Sequence, residues 1–89
     1  MADDYVLKPT VIAGSKLKDD YCAYHNGHSF GRIIRHVAEG SDGRWYWHFH
    51  PDERGAAGVV QMNGWTESRQ ESAEELKETY LLWRKRVGA

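Results

Sequence analysis

His48-x-His50 is the pair in this chain whose spacing could do chemistry. On one extended strand the two imidazoles share a face about 6.5–7 Å apart. With His36 from a neighbouring strand, or Asp52 and Glu53 just beyond, they would suit a divalent metal. The plainer reading is an ordinary polar β face, and it is the one adopted: no metal ligands are assigned. His25 and His28, the next pair, flank a turn. Arg32, Arg35 and Arg44 interleave with Tyr24 and Tyr46, a pattern that could stack bases and hold phosphates on a sheet, or else make cross-strand ion pairs and cation–π contacts.

Catalytic signals are weaker. No Ser or Cys stands beside a recognisable base, and no glycine loop has the spacing that cradles a phosphate. Gly55-Ala56-Ala57-Gly58 is too short for a dinucleotide fingerprint. The expectation is a non-enzyme without a cofactor. Cys22 is the single cysteine, so an intrachain disulfide and a Cys-rich zinc site are excluded, and the residue reads as a small buried hydrophobe.

Charge narrows the partner class. Twelve Lys and Arg stand against thirteen Asp and Glu, whereas dedicated nucleic-acid binders carry a basic excess. No apolar run approaches the ~18 residues of a membrane span. The acidic start Asp3-Asp4 lacks the basic character of a secretory leader. A cytoplasmic location without membrane attachment is expected.

The elements that must position these residues are legible from periodicity. Four Trp, five Tyr and two Phe supply the core, since each buried aromatic ring removes roughly 150–250 Å² from water. Residues 1–19, with Pro9 and Gly14-Ser15, read as a flexible arm, or as a short edge strand at Val11 and Ile12. Residues 20–89 read as one domain. Asp20–His25 is β-prone, and Asn26-Gly27 is the preferred pair for a tight hairpin turn. A second strand spans Ser29–Val37. A polar turn covers 38–43, and a third strand runs Arg44–His50, ended by Pro51.

Residues 51–67 form a long connection with room for a short fourth strand at Val59–Met62, and Trp65 is expected to pin its end onto the core. A C-terminal helix carries Leu76, Tyr80, Trp83 and Val87 on one stripe. Two capping boxes compete for its start, Ser68…Glu71 and Ser72…Glu75, and the stripe favours Ser72. Glutamates near its start and Arg84-Lys85-Arg86 near its end complement the helix dipole.

The expected fold is α+β: a three-stranded antiparallel meander, four-stranded if 59–62 pairs, with the helix on one face. Trp45, Trp47 and Phe49 alternate onto that face, with Trp47 meeting Trp83. The other face lacks a second layer and is solvated or covered by a partner. Arg32, Tyr46 and His48 are the predicted contact residues there, although a bulge near Gly31 would move Arg32 across.

Lys18-Asp19-Asp20-Tyr21, Asn26-Gly27-His28, Gly31-Arg32-Ile33, Trp45-Tyr46-Trp47 and Ser72-x-Glu74-Glu75 leading to Tyr80 and Trp83 carry a resemblance over residues 16–85. The chain resembles a group of uncharacterised small bacterial proteins with D-D-Y, D/N-G, G-R-I, W-x-W and S-x-E-E landmarks. It departs from them in having Leu76 for Ala, a closer aromatic pair and no Pro-rich stretch after the Trp-x-Trp strand. The group has no established activity, so the resemblance implies the fold and lends nothing to mechanism. The function expected is a protein-interaction module with a protein partner or a second copy, the alternative being a nucleic-acid-binding domain that uses the open face.

Overall fold

Among the described residues, alternating apolar and polar positions build five strands and one amphipathic stripe builds a helix. The computed structural model describes residues 4–36, 43–59 and 61–88. Its elements are β1 Tyr5–Ile12, β2 Ser15–His25, β3 His28–His36, β4 Arg44–Phe49, β5 Asn63–Thr66 and α1 Arg69–Val87. The strands lie in chain order, all antiparallel.

The α+β class with one C-terminal helix is as expected, but there are two more strands than the meander and one more than the four-stranded alternative. The segment expected as an arm or short edge strand is the eight-residue β1, and β2 starts at Ser15 rather than Asp20. Pro9 is tolerated because β1 is an edge strand, where one missing donor faces outward.

The last strand is Asn63–Thr66, later in the chain than the expected 59–62, of which Val60 lies outside the described residues. Packing decides that register. Gly64 lies opposite Trp47, and a Cβ there would stand 2.6 Å from the indole nitrogen. A side chain at that position could not share the space with Trp47. Val37, placed at the end of the second predicted strand, lies outside the described residues.

The β2–β3 turn forms as read, with Asn26 at φ 49° and Gly27 at φ 86°, as a type I′ turn requires. Beyond it the register shifts at Ala23/Tyr24, and Phe30 is the extra residue of β3. The bulge thus precedes Gly31. Arg32 keeps its expected face, opposite His48.

Paired residues sort cleanly into two faces. Ile33, Trp47 and Phe49 face the helix and are almost fully buried with Leu76, Tyr80 and Trp83. Trp47 and Trp83 do not meet as expected. The Trp47 Nε1–H donates to Glu75 Oε1 at 3.0 Å in the first half of α1, while Trp83 packs edge-on against Phe49 with centroids 5.7 Å apart. An eight-residue separation along a helix is about 12 Å, enough to spread Glu75 and Trp83 over different parts of the sheet. Between β1 and α1 an apolar gap of about 130 Å³ lies among Leu7, Ala23, Phe30 and Leu76.

The helix starts one turn earlier than the stripe suggested. Ser68 is the N-cap: its Oγ accepts from the Glu71 N–H at 3.1 Å and donates to Glu71 Oε1. Ser72 is wholly buried inside the helix, its hydroxyl 2.7 Å from that of Thr66. The preferred box thus serves the core, and the cap lies on the turn before it. Gly88, left-handed at φ 78°, closes the C-terminus through its N–H to the Arg84 carbonyl.

Helix and sheet approach closely at Gly31. A Cβ there would stand 2.6 Å from the His48 carbonyl oxygen and 2.7 Å from a Leu76 methyl. The carbonyl cannot yield without disturbing the ladder. Gly31→Ala is therefore expected to cost about 1–3 kcal/mol, lowering the melting temperature by at least several degrees in a domain this small. Thermal melts followed by circular dichroism test it, and a change under about 2 °C would contradict the packing described.

Candidate functional site

The sheet face turned away from α1 carries the predicted contact residues. Strand register sets them in rows. Lys8, Cys22, Arg32, His48 and Asn63 lie side by side across all five strands, and Asp20, Ile34, Tyr46 and Trp65 form the adjacent row. His36 pairs with Arg44 at the far end. Arg32, Tyr46 and His48 thus stand together, Arg32 directly across from His48 and Tyr46 one row away.

Trp65 belongs to this face too, against expectation. It does not pin the loop to the core. It is 47% exposed, its ring tilted against Tyr46 at 4.9 Å, with His36 edge-on at 5.6 Å and the Arg44 guanidinium 5.9 Å above it. The residue that does anchor the long connection is Trp83, whose indole N–H donates to the Gly55 carbonyl at 2.7 Å. Gly64 decides the exchange: by turning inward opposite Trp47 it sends its neighbour Trp65 outward.

Arg32 is held in place. Its Nε donates to Asp20 Oδ1 at 2.8 Å and its Nη2 to Oδ2, a two-point fork, while the Thr10 hydroxyl donates to the same carboxylate at 2.8 Å. These donors leave Asp20 only 6% exposed. The hydrogen bonds from Arg32 hold its carboxyl below the usual carboxylate range, outweighing the opposite effect of burial. Cys22 lies in this network, half-exposed, its Sγ 3.3 Å from the Thr10 hydroxyl. It is not the buried hydrophobe expected. Arg35, grouped with Arg32 and Arg44 in the sequence, points to the opposite side and pairs with Asp19.

The imidazoles are dispersed. His48 and His50 contact edge to face at 4.7 Å, but His36 lies four residues along β3 from the partner of His48. Among the described residues no group of three or more His, Cys, Asp or Glu side chains is placed to hold a metal ion. His25 is not a simple turn residue. It is buried, with Nδ1 2.7 Å from the Tyr80 hydroxyl and its ring stacked on Tyr5 at 4.5 Å. Its distant partners, Tyr5 and Tyr80, gave no local sequence signal.

The Tyr5 hydroxyl is buried and, among the described residues, is without a hydrogen-bond partner. Among the described residues no helix is long and apolar enough to cross a membrane. Compared with protein-family models, curated proteins and solved structures, the chain matches none. Its geometry is the evidence on function.

His50 is pushed below its ordinary pKa of 6.5 by partial desolvation and by the nearby His48 and Arg32. The sign of the linkage is definite. Below about pH 6.5 the unfolded chain takes up a proton that the folded ring resists, so stability falls with acidification until the folded pKa is passed. Asp20 acts lower, contributing stability above its ordinary 3.8 that is lost as pH drops beneath it. Urea denaturation between about pH 7 and 5 should show a shallower decline for His50→Gln than for wild type. Parallel curves would remove His50 from the balance.

Proposed function

We propose that this chain is a non-catalytic module that binds another protein through the open face of its sheet, in the cytoplasm. The row Ile34–Tyr46–Trp65, apolar and aromatic across three adjacent strands and ending in a half-exposed indole, is the observation that carries the reading. Trp, Tyr and Arg are the residues in which interface energy concentrates, and they do so when a polar rim excludes water around them. Arg32, His48, His36 and Arg44 supply such a rim.

Part of the ordering entropy of binding is already spent. Arg32 is fixed by its two-point fork to Asp20, and Trp65 leans on Tyr46, so fewer side-chain rotations are lost on contact. The rim is mixed in charge, with Arg32 paired to Asp20 and Arg44 close to Glu67, so the partner is selected chiefly by an apolar strip that matches the aromatic row.

A second reading, single-stranded nucleic acid, draws on Arg44 above Trp65 and Lys8 at 5.2 Å over Tyr24, since cation-backed rings are good stacking platforms. It is disfavoured because phosphate binding depends on cations free to neutralise it. Arg32 is engaged by Asp20, Arg44 lies 3.7 Å from Glu67, and Arg35 is on the other side.

A photo-crosslinking amino acid at position 65, introduced in the native host, would capture the partner. Binding of that purified protein should then weaken by about tenfold or more in Trp65→Ala and in Tyr46→Ala, with melting temperatures little changed. Undiminished affinity in both variants would refute the reading. Saturable binding of single-stranded RNA, lost in the same variants and falling steeply with salt, would replace it with the second.

A further inference from the structure

Away from the open-face aromatic row, a cleft of about 420 Å³ opens where the β2–β3 turn and the end of β4 meet the C-terminal half of α1. That volume is in the range of small-molecule sites. Its floor is an aromatic stack: Phe30 lies on Tyr80 at 4.1 Å, and Tyr80 is stacked with Trp83 at 6.0 Å.

Two guanidinium groups rest on this floor. Arg54 sits 4.7 Å over the Trp83 ring and Arg84 5.8 Å over Tyr80. Resting on the ring costs Arg84 rotational freedom while leaving its N–H groups available for an oxyanion, whereas the forked edge of Arg54 is engaged by Asp52. The loop carrying Arg54 is itself fastened by the bond from Trp83 to the Gly55 carbonyl.

The charge of the lining rests on Arg84, because Asp52 compensates Arg54. Three imidazoles, of His25, His28 and His50, also line the cleft. Asp52 is the single carboxylate of the lining, and it is already occupied: Arg54 donates to both its oxygens, from Nε to Oδ1 at 3.1 Å and from Nη2 to Oδ2 at 2.7 Å. Among the described residues Arg84 has no carboxylate within ion-pairing distance. Asn26 and Ser29 add neutral donors on the turn.

We infer that this cleft binds a small phosphorylated molecule, its phosphate held by Arg84 together with the donors of the β2–β3 turn. Arg84 on the helix, Asn26, His28 and Ser29 on the turn and His50 just after β4 line one cleft, and donors on several sides suit a tetrahedral dianion, which offers oxygens in several directions. A planar carboxylate would be satisfied by one fork. The site is independent of the open-face row, so it stands or falls separately from the proposed protein contact.

Calorimetric titration at fixed ionic strength tests the inference, with ribose 5-phosphate, adenosine monophosphate and inorganic phosphate as probes and succinate as the carboxylate control. Saturable binding of at least one phosphate ester is expected. It should weaken about tenfold or more in Arg84→Gln, the loss of one charge-assisted contact. Because Arg84 also sits in the last turn of α1, His28→Ala, on the exposed turn, provides a second variant expected to weaken binding without affecting the fold. Lys85→Gln and Trp65→Ala should leave it unchanged.

Binding of inorganic phosphate as tight as that of the esters would still support a phosphate site and would show that the ester's body adds nothing. The inference is overturned by no saturable binding of any phosphate at low millimolar concentration, by equal binding of succinate, or by equal losses in Arg84→Gln and Lys85→Gln.

Discussion

Trp47 is the constraint around which the rest is arranged. Its indole is 1% exposed, lies beside Ile33 on β3 and Gly64 on β5, and reaches the helix through a hydrogen bond to Glu75. One side chain thus fixes the positions of three strands and a helix. A buried indole N–H needs an acceptor, and here the acceptor is a carboxylate that must lie at that height on α1. Glycine at position 64 makes room for the ring, and strand alternation then determines what its neighbours do. The exposure of Trp65 on the far face follows from the burial of Trp47 on the near one.

Much of this was legible in the residues, for physical reasons that differ from element to element. The β2–β3 hairpin was readable because Asn26-Gly27 has few alternative conformations that join two β-prone runs. The alternation of Trp45 to Phe49 gave the faces of β4, and with them the side on which Tyr46 and His48 emerge. The helix was legible from its stripe, but its first turn was not. Ser68 and Ser72 both offer a hydroxyl three residues before a Glu, and only burial, which Thr66 helps impose on Ser72, separates a cap from a core residue.

What escaped the sequence depends on partners remote along the chain. β1 has Pro9 and a polar end, so its pairing with β2 comes from the sheet rather than from its own propensity. Trp65 has the local pattern of a loop anchor, and it is the placement of Gly64 against Trp47 that turns it outward. The Asp20–Arg32–Thr10 network joins three strands and has no local pattern, and the same holds for the two arginines lying on Tyr80 and Trp83. Residue types were visible throughout; their neighbours were not.

The gap beneath β1 has a consequence for how the molecule opens. Elsewhere the sheet meets the helix through tight contacts such as Gly31 against Leu76, yet between β1 and α1 about 130 Å³ is unfilled and the Tyr5 hydroxyl is buried without a partner among the described residues. An open groove costs less than a sealed void, but the buried hydroxyl weakens the hold on this edge. Lifting β1 must break its ladder with β2, the Thr10–Asp20 hydrogen bond and the stacking of Tyr5 on His25. Peeling frees the outer edge of β2, a row of backbone donors and acceptors that any extended strand can occupy. β1 is thus the strand that covers this edge, and its ladder with β2 is what keeps the edge from pairing with another chain.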